Sequence, residues 1–430
     1  MRKILQIILR ILTKLVIAKY HPEIVGITGS VGKTSTREAV YTVLSSRFNV
    51  RVNIKNYNNE IGLPLTIMGF KSANSSLFGW LNVFCKAIKM ILIRDPHFPE
   101  IIVLEMGVDR PGDMDYLNKL IKPKIAVLTR IGSSHLEYLG SLTNTRDEKA
   151  KIFNNLPTDG WAILNYDDEY LLPLKDKIKN KVVTFGFAPE ADVSANNIIL
   201  SFEEGKDINS LAGINFKIKY QGSYIPILLP RVVSYASVYA SLVAASVGFC
   251  FGMNGIEISK ALLNLCPSSG RMNLIPGIKG SMIIDDTYNA APQSMSAALD
   301  IAEQIKLPEI KTKWIVLGDM LELGEDSKKE HLKVGKQVAN IAKAKLVILG
   351  EQANLIKEGA IKAGLMENHI YYFDKQIEAS QFLKQEIKEN DLILVKGSQG
   401  MRMEKIVKEL MEHQTKAETC LVRQEKEWQS

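Results

Sequence analysis

Gly29-Ser30-Val31-Gly32-Lys33-Thr34-Ser35 is the stretch of this sequence best suited to chemistry. A glycine turn runs directly into Lys-Thr-Ser. In that arrangement loop N–H groups and the positive end of a following helix cradle phosphate oxygens. Lys33 would neutralise the β- and γ-phosphates, and the Thr34 hydroxyl would hold Mg²⁺. The longer form of such loops has a glycine where Ile27 stands; Gly29 makes this one a shortened variant. Glu105 ends the apolar run Ile101–Leu104. A strand tip that delivers a carboxylate beside a phosphate loop reaches the Mg²⁺ shell. His135 follows the apolar run Ile125–Ile131, and ligands in open α/β sheets bind at the carboxyl ends of strands. Asn56, Asn58 and Asn59 lie close together in a polar loop, where they form turns or position a ligand; the residues alone favour neither. Lys149, in the helical stretch Arg146–Phe153, reads by itself as a solvated lysine.

Several elements must position these groups. Ile24, Val25, Ile27 and Thr28 form a buried strand ahead of the loop. Trp161–Asn165 and Val182–Phe185 continue the strands, and Ser234–Phe251 is a small-residue helix. Asp192–Pro230 reads as short alternating strands, a small antiparallel sheet on the flank. From Ser281 strands and helices alternate again. Strands fall at Met282–Asp285, Trp314–Leu317, Leu346–Leu349, Ile370–Phe373 and Leu392–Val395, which predicts a second parallel α/β domain. The fold class is therefore α/β: a P-loop ATPase domain with a parallel sheet, then a Rossmann-like α/β domain. The limits expected are an amphipathic helix over 1–21, the ATP-binding domain over 22–269, the second domain over 270–415 and a polar tail over 416–430. The tail is expected to fray.

Met1–Tyr20 places Ile4, Leu5, Ile8, Ile11, Leu12, Leu15 and Val16 on one helical face. Arg10 and Lys14 would lie mid-bilayer in a spanning helix, which is costly. Two readings stay open: a helix packed on the nucleotide domain, or a basic amphipathic helix on a membrane surface through residues 1–19. Ser76–Phe98 is apolar and basic, a core helix or a second surface-seeking one. The chain of 430 residues is 46% hydrophobic and 23% charged with net charge +7. That composition suits a globular protein with an anionic substrate. No basic stripe interleaved with aromatics points to nucleic acid. Four scattered cysteines fit a reduced, cytoplasmic setting.

Together the stretches ITGSVGKTST, NYNNEIGLPLT, LEMGVDRPGDM, IGSSHLEYLGS, DDTYNAAPQSM, LGDMLELG and VKGSQGMRME resemble the Mur ligase family, in its D-alanyl-D-alanine-adding branch and in family order from Pro22 to Leu410. The resemblance implies an ATP-dependent amide ligase of peptidoglycan precursor synthesis, a cytoplasmic monomer. Its substrates would be a UDP-muramoyl-tripeptide and D-Ala-D-Ala, joined through an acyl phosphate. It implies ATP contacts from Gly29 to Ser35 and two Mg²⁺ ions. Thr34 and Glu105 would hold one ion; His135 and Lys149, the latter as N6-carboxylysine, would hold the other. Lys33, His135 and Lys149 would be catalytic. In the second domain it implies ATP contacts from Arg271, Asp286 and Asn289. Substrate contacts would come from Lys396 and Ser398, with Asn56, Asn58 and Asn59 in the first domain. Domain closure would exclude water from the acyl phosphate.

The sequence departs from the family at several positions. Lys151 stands for a glutamate, Ser237 and Ala240 for asparagines near the adenine, and Ala291 for an asparagine in the DDTYNAAP loop. Full-length members carry an N-terminal domain that grips uridine diphosphate, whereas here Met1–Pro22 precede the strand. The acceptor is therefore expected to be held mainly by its peptide and sugar. A ligase with another acceptor, or a weakly active nucleotide-binding scaffold, are the alternatives; ATP consumption that depends on D-Ala-D-Ala separates them.

Overall fold

The computed structural model describes residues 2–53, 57–74, 76–132, 136–203, 205, 207–424 and 428. Asn56 and His135 lie outside the described residues. The chain divides into two compact units. The first comprises Met1–Asn197, Phe216–Ile227 and Ala236–Cys266, and the second comprises Ile198–Asn215, Leu228–Tyr235 and Pro267–Ser430.

The first unit opens with α1 (Arg2–Tyr20), β1 (Glu23–Thr28) and α2 (Lys33–Ser45). Then come β2 (Val50–Val52), α3 (Gly62–Met68), α4 (Leu77–Leu92), β3 (Ile101–Glu105), α5 (Asp113–Asn118) and β4 (Ile125–Leu128). The short α6 (Leu136–Leu139) and α7 (Leu142–Ala150) lead into β5 (Trp161–Asn165) and β6 (Lys181–Gly186). The apolar runs of β3 and β4 are buried throughout, as strands covered on both faces require. β1 pairs in parallel with β3 on one side and β4 on the other. Strand order thus reverses at β1, and its carboxyl end opens the crevice where ligands bind in such sheets. Ile27 lies opposite Glu105, so the glycine loop and the carboxylate leave the sheet at one level. In α2, Ala39, Val40, Val43 and Leu44 recur at helical spacing and are buried.

β7 (Val193–Phe202), β8 (Leu211–Tyr220) and β9 (Ser223–Pro230) correct the expectation of a separate small sheet. β7 continues in parallel from β6, with Phe185 opposite Val193, and the order runs β2-β3-β1-β4-β5-β6-β7-β8-β9. The added strand satisfies backbone groups that β6 would otherwise leave open at an edge. Between β8 and β9 the turn Gln221-Gly222 has φ of 46° and 79°. Positive φ at both positions matches strand twist in a tight hairpin. α8 (Tyr235–Cys250) and α9 (Gly255–Leu262) follow, α9 opened by a capping box between Asn254 and Glu257.

α1 packs by one face. Leu9, Leu12 and Val16 join a core with Leu63, Leu65, Ile102 and Leu104, while Ile4, Ile7, Ile11 and Leu15 stay exposed. The packed-helix reading therefore holds for half of the helix.

The second unit contains β10 (Asn273–Pro276), β11 (Met282–Asp286), α10 (Pro292–Gln304), β12 (Lys313–Gly318), α11 (Ser327–Ala339) and β13 (Ala344–Leu349). α12 (Ala353–Lys362), β14 (Ile370–Phe373), α13 (Gln376–Glu386), β15 (Leu392–Lys396), α14 (Glu404–Leu410) and α15 (Ala417–Cys420) complete it. Its sheet order is β10-β11-β15-β12-β13-β14, parallel except for β10. As far as Gln424 the tail corrects the expectation of fraying. Ala417 and Leu421 are buried in a core with Met403, Ile406 and Leu410. Apolar side chains at that spacing anchor a terminal segment that its polar composition conceals.

Candidate functional site

The glycine loop is held from outside itself. Ser30 N–H donates to the Arg130 carbonyl at 2.7 Å, and the Thr129 hydroxyl donates to the Val31 carbonyl at 2.7 Å. Gly29 has φ of 148°, and a Cβ there would sit 2.0 Å from Thr129 Oγ1, so only glycine fits. Gly32, at φ of 86°, starts α2. Its missing Cβ would point into open space, which leaves approach to the helix N-terminus clear. Lys33 Nζ arches back over the loop and donates to the carbonyl of Gly29 at 2.8 Å. Ser30 Oγ is buried and has no hydrogen-bond partner among the described residues. At the head of a phosphate loop such a hydroxyl is free to meet a polar ligand.

Thr34 Oγ1 donates to Glu105 Oε2 at 3.1 Å, and Arg37 Nη1 donates to the same oxygen at 3.3 Å. Glu105 is clamped through its backbone. Asn53 Nδ2 donates to the Glu105 carbonyl at 3.0 Å, while Glu105 N–H donates to Asn53 Oδ1 at 2.9 Å. A hydroxyl and a carboxylate side by side at the head of a phosphate loop are the oxygen donors that Mg²⁺ takes alongside phosphates. The donor set fits the ion.

Lys149 is not a solvated helix lysine. It is 1% exposed on the last turn of α7, and its Nζ donates to the Val108 carbonyl at 2.7 Å. Burial, reinforced by the charge of Lys33, pulls its pKa down to about 8. As an ammonium it cannot bind a metal. As a neutral amine it can add CO₂, and the resulting carbamate would keep an N–H for Val108 while offering two oxygens. Lys151 is turned away into ion pairs with Asp115 and Glu148. Glu148 caps the start of α5, accepting from the N–H groups of Gly112 and Met114 at 2.9 and 3.1 Å.

Asn59 takes part in a turn. Its Oδ1 accepts from the N–H groups of Ile61 and Gly62 and caps α3. Asn58 meets the turn after Glu105, where Gly107 N–H donates to the Asn58 carbonyl at 2.8 Å. That bond puts Asn58 beside the end of the strand that carries Glu105.

In the second unit Asp286 and Lys396 are register partners at the carboxyl ends of β11 and β15. They form a buried ion pair, and Lys396 Nζ also donates to the Asn289 carbonyl at 2.9 Å. Asn289 Oδ1 accepts from Gln399 N–H at 3.2 Å. Ser398 is buried, accepting from Leu321 N–H at 2.8 Å and donating to the Ala290 carbonyl at 3.3 Å. Lys396 and Ser398 thus spend polar atoms on shaping the 286–290 loop. Arg271 lies 4.1 Å from the centre of the Tyr288 ring, and its buried Nε has no protein partner. Behind the loop, burial raises the Asp285 carboxyl to about 6 while Thr287 hydrogen-bonds to it.

Sequence reasoning missed Asn53, Thr129, Glu148 and Arg423. Arg423 donates to the carbonyls of Thr287 and Tyr288 at 2.6 and 3.1 Å and pairs with buried Glu404 at 2.8 Å. It ties the terminal segment to the loop beside Asp286.

Comparison with known proteins places these sites in context. Residues 27–78 and 88–225 match the Mur ligase middle domain, and residues 270–399 match the Mur ligase, glutamate ligase domain. A UDP-N-acetylmuramoyl-tripeptide--D-alanyl-D-alanine ligase from Bacillus subtilis (strain 168) is 32% identical over 403 residues, 93% of this chain and 78% of its own length. MurF from Acinetobacter baumannii is similar in structure with a TM-score of 0.75 at 26% identity, covering 94% of this chain and 80% of that one. The MurF ligase of Thermotoga maritima, solved in complex with ADP, has a TM-score of 0.72 at 24% identity, a likeness of fold over 94% of this chain and 83% of that one.

Proposed function

The chain belongs to the Mur ligase family, and from that premise we infer that it is an ATP-dependent ligase that adds D-alanyl-D-alanine to a UDP-N-acetylmuramoyl-tripeptide. The observation that carries the reading is the meeting of Thr34 and Glu105 beside the glycine loop, at the ends of adjacent parallel strands. A carboxylate is a poor acyl donor, so the reaction begins with its activation. A carboxylate oxygen of the acceptor peptide attacks the γ-phosphorus of ATP, and the bond from that phosphorus to ADP breaks. The D-Ala-D-Ala amine then attacks the acyl carbon. The carbon–oxygen bond to phosphate breaks, the nitrogen loses its proton, and the amide and inorganic phosphate remain.

This chain's residues supply position and charge. Residues Gly29 to Ser35 hold the phosphates, and Lys33 leaves its own loop carbonyls to stabilise charge on the transferring phosphoryl group. Thr34 and Glu105 would hold Mg²⁺, which offsets phosphate charge when bound. Lys149, carboxylated on Nζ, and His135 are proposed for a second ion. In the second unit Arg271, Asp286 and Asn289 are proposed to face nucleotide and Lys396 and Ser398 to face substrate, with Asn56, Asn58 and Asn59 of the first unit also proposed as substrate contacts. The limits proposed are 1–21 for the amphipathic helix, 22–269 for the ATP-binding domain, 270–415 for the second domain and 416–430 for the polar tail. We further propose a cytoplasmic monomer whose residues 1–19 touch a membrane peripherally.

Phosphate release over a panel of acceptors and dipeptides tests the reading. Release should require both the muramoyl-tripeptide and D-Ala-D-Ala, and Lys33→Ala should lower it about 100-fold or more. Release indifferent to the dipeptide would remove the assignment.

A further inference from the structure

Positive charge in this chain is segregated. Residues 1–22 and 61–94 together contain nine lysines and arginines and no aspartate or glutamate. The remaining 45 lysines and arginines face 47 acidic residues, so the rest of the chain carries −2 and these two stretches account for the whole positive balance. These stretches contain α1 and α4, which carry seven of the nine, with Lys71 and Arg94 flanking α4.

Among the described residues, nothing covers one side of either helix. α4 buries only Val83 and Ala87 along its length. Leu77, Phe78, Leu81, Ile88 and Leu92 are exposed, Phe78 to 87% and Leu92 to 76%. At about 100° per residue these positions fall on one stripe. α1 exposes Ile4, Ile7, Ile11 and Leu15, another single stripe, with Ile4 at 64%. The opposite sides of the helices, Leu9, Leu12 and Val16 of α1 with Val83 and Ala87 of α4, enter one core cluster. Their ends are tied together: Lys19 Nζ donates to the Ile91 carbonyl at 2.8 Å, and the Tyr20 hydroxyl donates to the Met90 carbonyl at 3.0 Å. The two stripes therefore look outward from the same side of the first unit. Lys3, Lys14, Lys86 and Lys89 are exposed around them. Glu60 accepts from the amide of Gln6, on the side of α1 away from Ile4. Isolated apolar side chains on a surface need no explanation, but a two-helix apolar face of this kind does.

We propose that α1 and α4 form one membrane-contact face, which lays its apolar stripes into the interface of a bilayer and holds anionic phospholipid headgroups with the surrounding lysines. The charge pattern selects this occupant over a second copy of the chain, because two such faces would bring only positive charge together. No helix among the described residues is long and apolar enough to cross a membrane, so the helices lie on the surface, as amphipathic basic helices do. The proposal extends the membrane contact of residues 1–19 to a second helix. Its test needs no substrate, so its failure leaves the ligase assignment untouched.

The test is co-sedimentation of the full chain with phosphatidylcholine vesicles, with and without phosphatidylglycerol. Binding to the anionic vesicles should be at least about tenfold tighter. Raising salt from about 0.1 M to about 1 M, which shortens the screening length from about 10 to about 3 Å, should release much of the protein. Ile7→Glu with Ile11→Glu, and separately Phe78→Glu with Leu81→Glu, should each weaken binding about tenfold or more. The altered side chains are exposed, so circular dichroism and ligation in vesicle-free solution should stay as in the parent. Equal binding to both vesicle types, or loss with the α1 pair alone, would overturn the joint anionic-lipid face. So would a dimer in vesicle-free solution that either pair of substitutions abolishes, which would make the face an interface between copies.

Discussion

Lys149 shows how far a residue's chemistry depends on its surroundings. An ordinary lysine with a pKa of 10.5 is about 0.3% neutral at pH 8, whereas one lowered to about 8 is roughly half neutral there. Carbamate forms only from the neutral amine, so burial and the charge of Lys33 raise the reactive fraction by about two orders of magnitude. At pH 6 that fraction falls to about 1%. Protein incubated with ¹³C-bicarbonate at pH 8 should therefore show a carbamate carbon resonance that fades toward pH 6 and is missing in Lys149→Ala. The same variant should be nearly inactive, with short carboxylic acids restoring part of the rate. A fully active Lys149→Ala protein would make the residue a packing lysine and nothing more. None of this was legible in the sequence from the residue itself. A lysine in a helix reads as solvated, and only its place in the family pattern singled it out. The glycine loop was legible, because Gly29, Gly32, Lys33 and Thr34 carry their chemistry within a few neighbouring positions.

Between elements, what was legible follows the reach of each contact. Strands such as β5 and β14, Trp161–Asn165 and Ile370–Phe373, were bounded correctly because apolar runs end at polar turns. The devices that aim the site were not, because they join residues far apart in sequence. Asn53 clamps Glu105 across 52 positions, and Arg423 reaches the Thr287 carbonyl across 136. Arg423 also corrects the reading of the tail: it anchors the segment after α15 to the loop beside Asp286, in company with buried Leu421. Removing it leaves Glu404, which is fully buried, with Arg402 as its remaining ion-pair partner. It also leaves two backbone carbonyls without that donor. Arg423→Ala should therefore lower stability in urea by about 2–4 kcal/mol, less than the loss of a sole buried partner. It should raise KM for ATP more than it lowers kcat, since the loop that carries Asn289 loses its brace. A change below about 0.5 kcal/mol, the size of an ordinary surface substitution, would show that the tail is not structurally tied.

At the scale of the whole chain, two units with separate cores must be kept folded, and ligands contribute to that stability as surely as packing does. A ligand that binds only the folded state adds about 2.7 kcal/mol at about 100 times its Kd. In folded units of about 150–250 residues, the size class of the first unit, each kcal/mol moves Tm by roughly 2–4 °C. ADP with Mg²⁺ should thus raise the apparent Tm of the first unit, which carries the phosphate loop, by several degrees. The phosphate loop predicts where that gain comes from. Lys33 is bonded to the carbonyls of Gly29 and Ser30, contacts of modest value on a partly open loop, so Lys33→Ala should leave the unliganded Tm within about 1 °C of the parent, in line with surface substitutions generally. With ADP, however, the variant has lost its principal positive charge toward the phosphates, and most of the ligand-induced shift should vanish. This experiment is independent of turnover, so it separates binding from the chemistry that phosphate release reports. A variant that shifts as far as the parent while failing to ligate would assign Lys33 to the transition state alone. A variant that shifts fully and also ligates would mean that the glycine loop is not where the nucleotide's phosphates are held, and the reading built on Thr34 and Glu105 would fall with it.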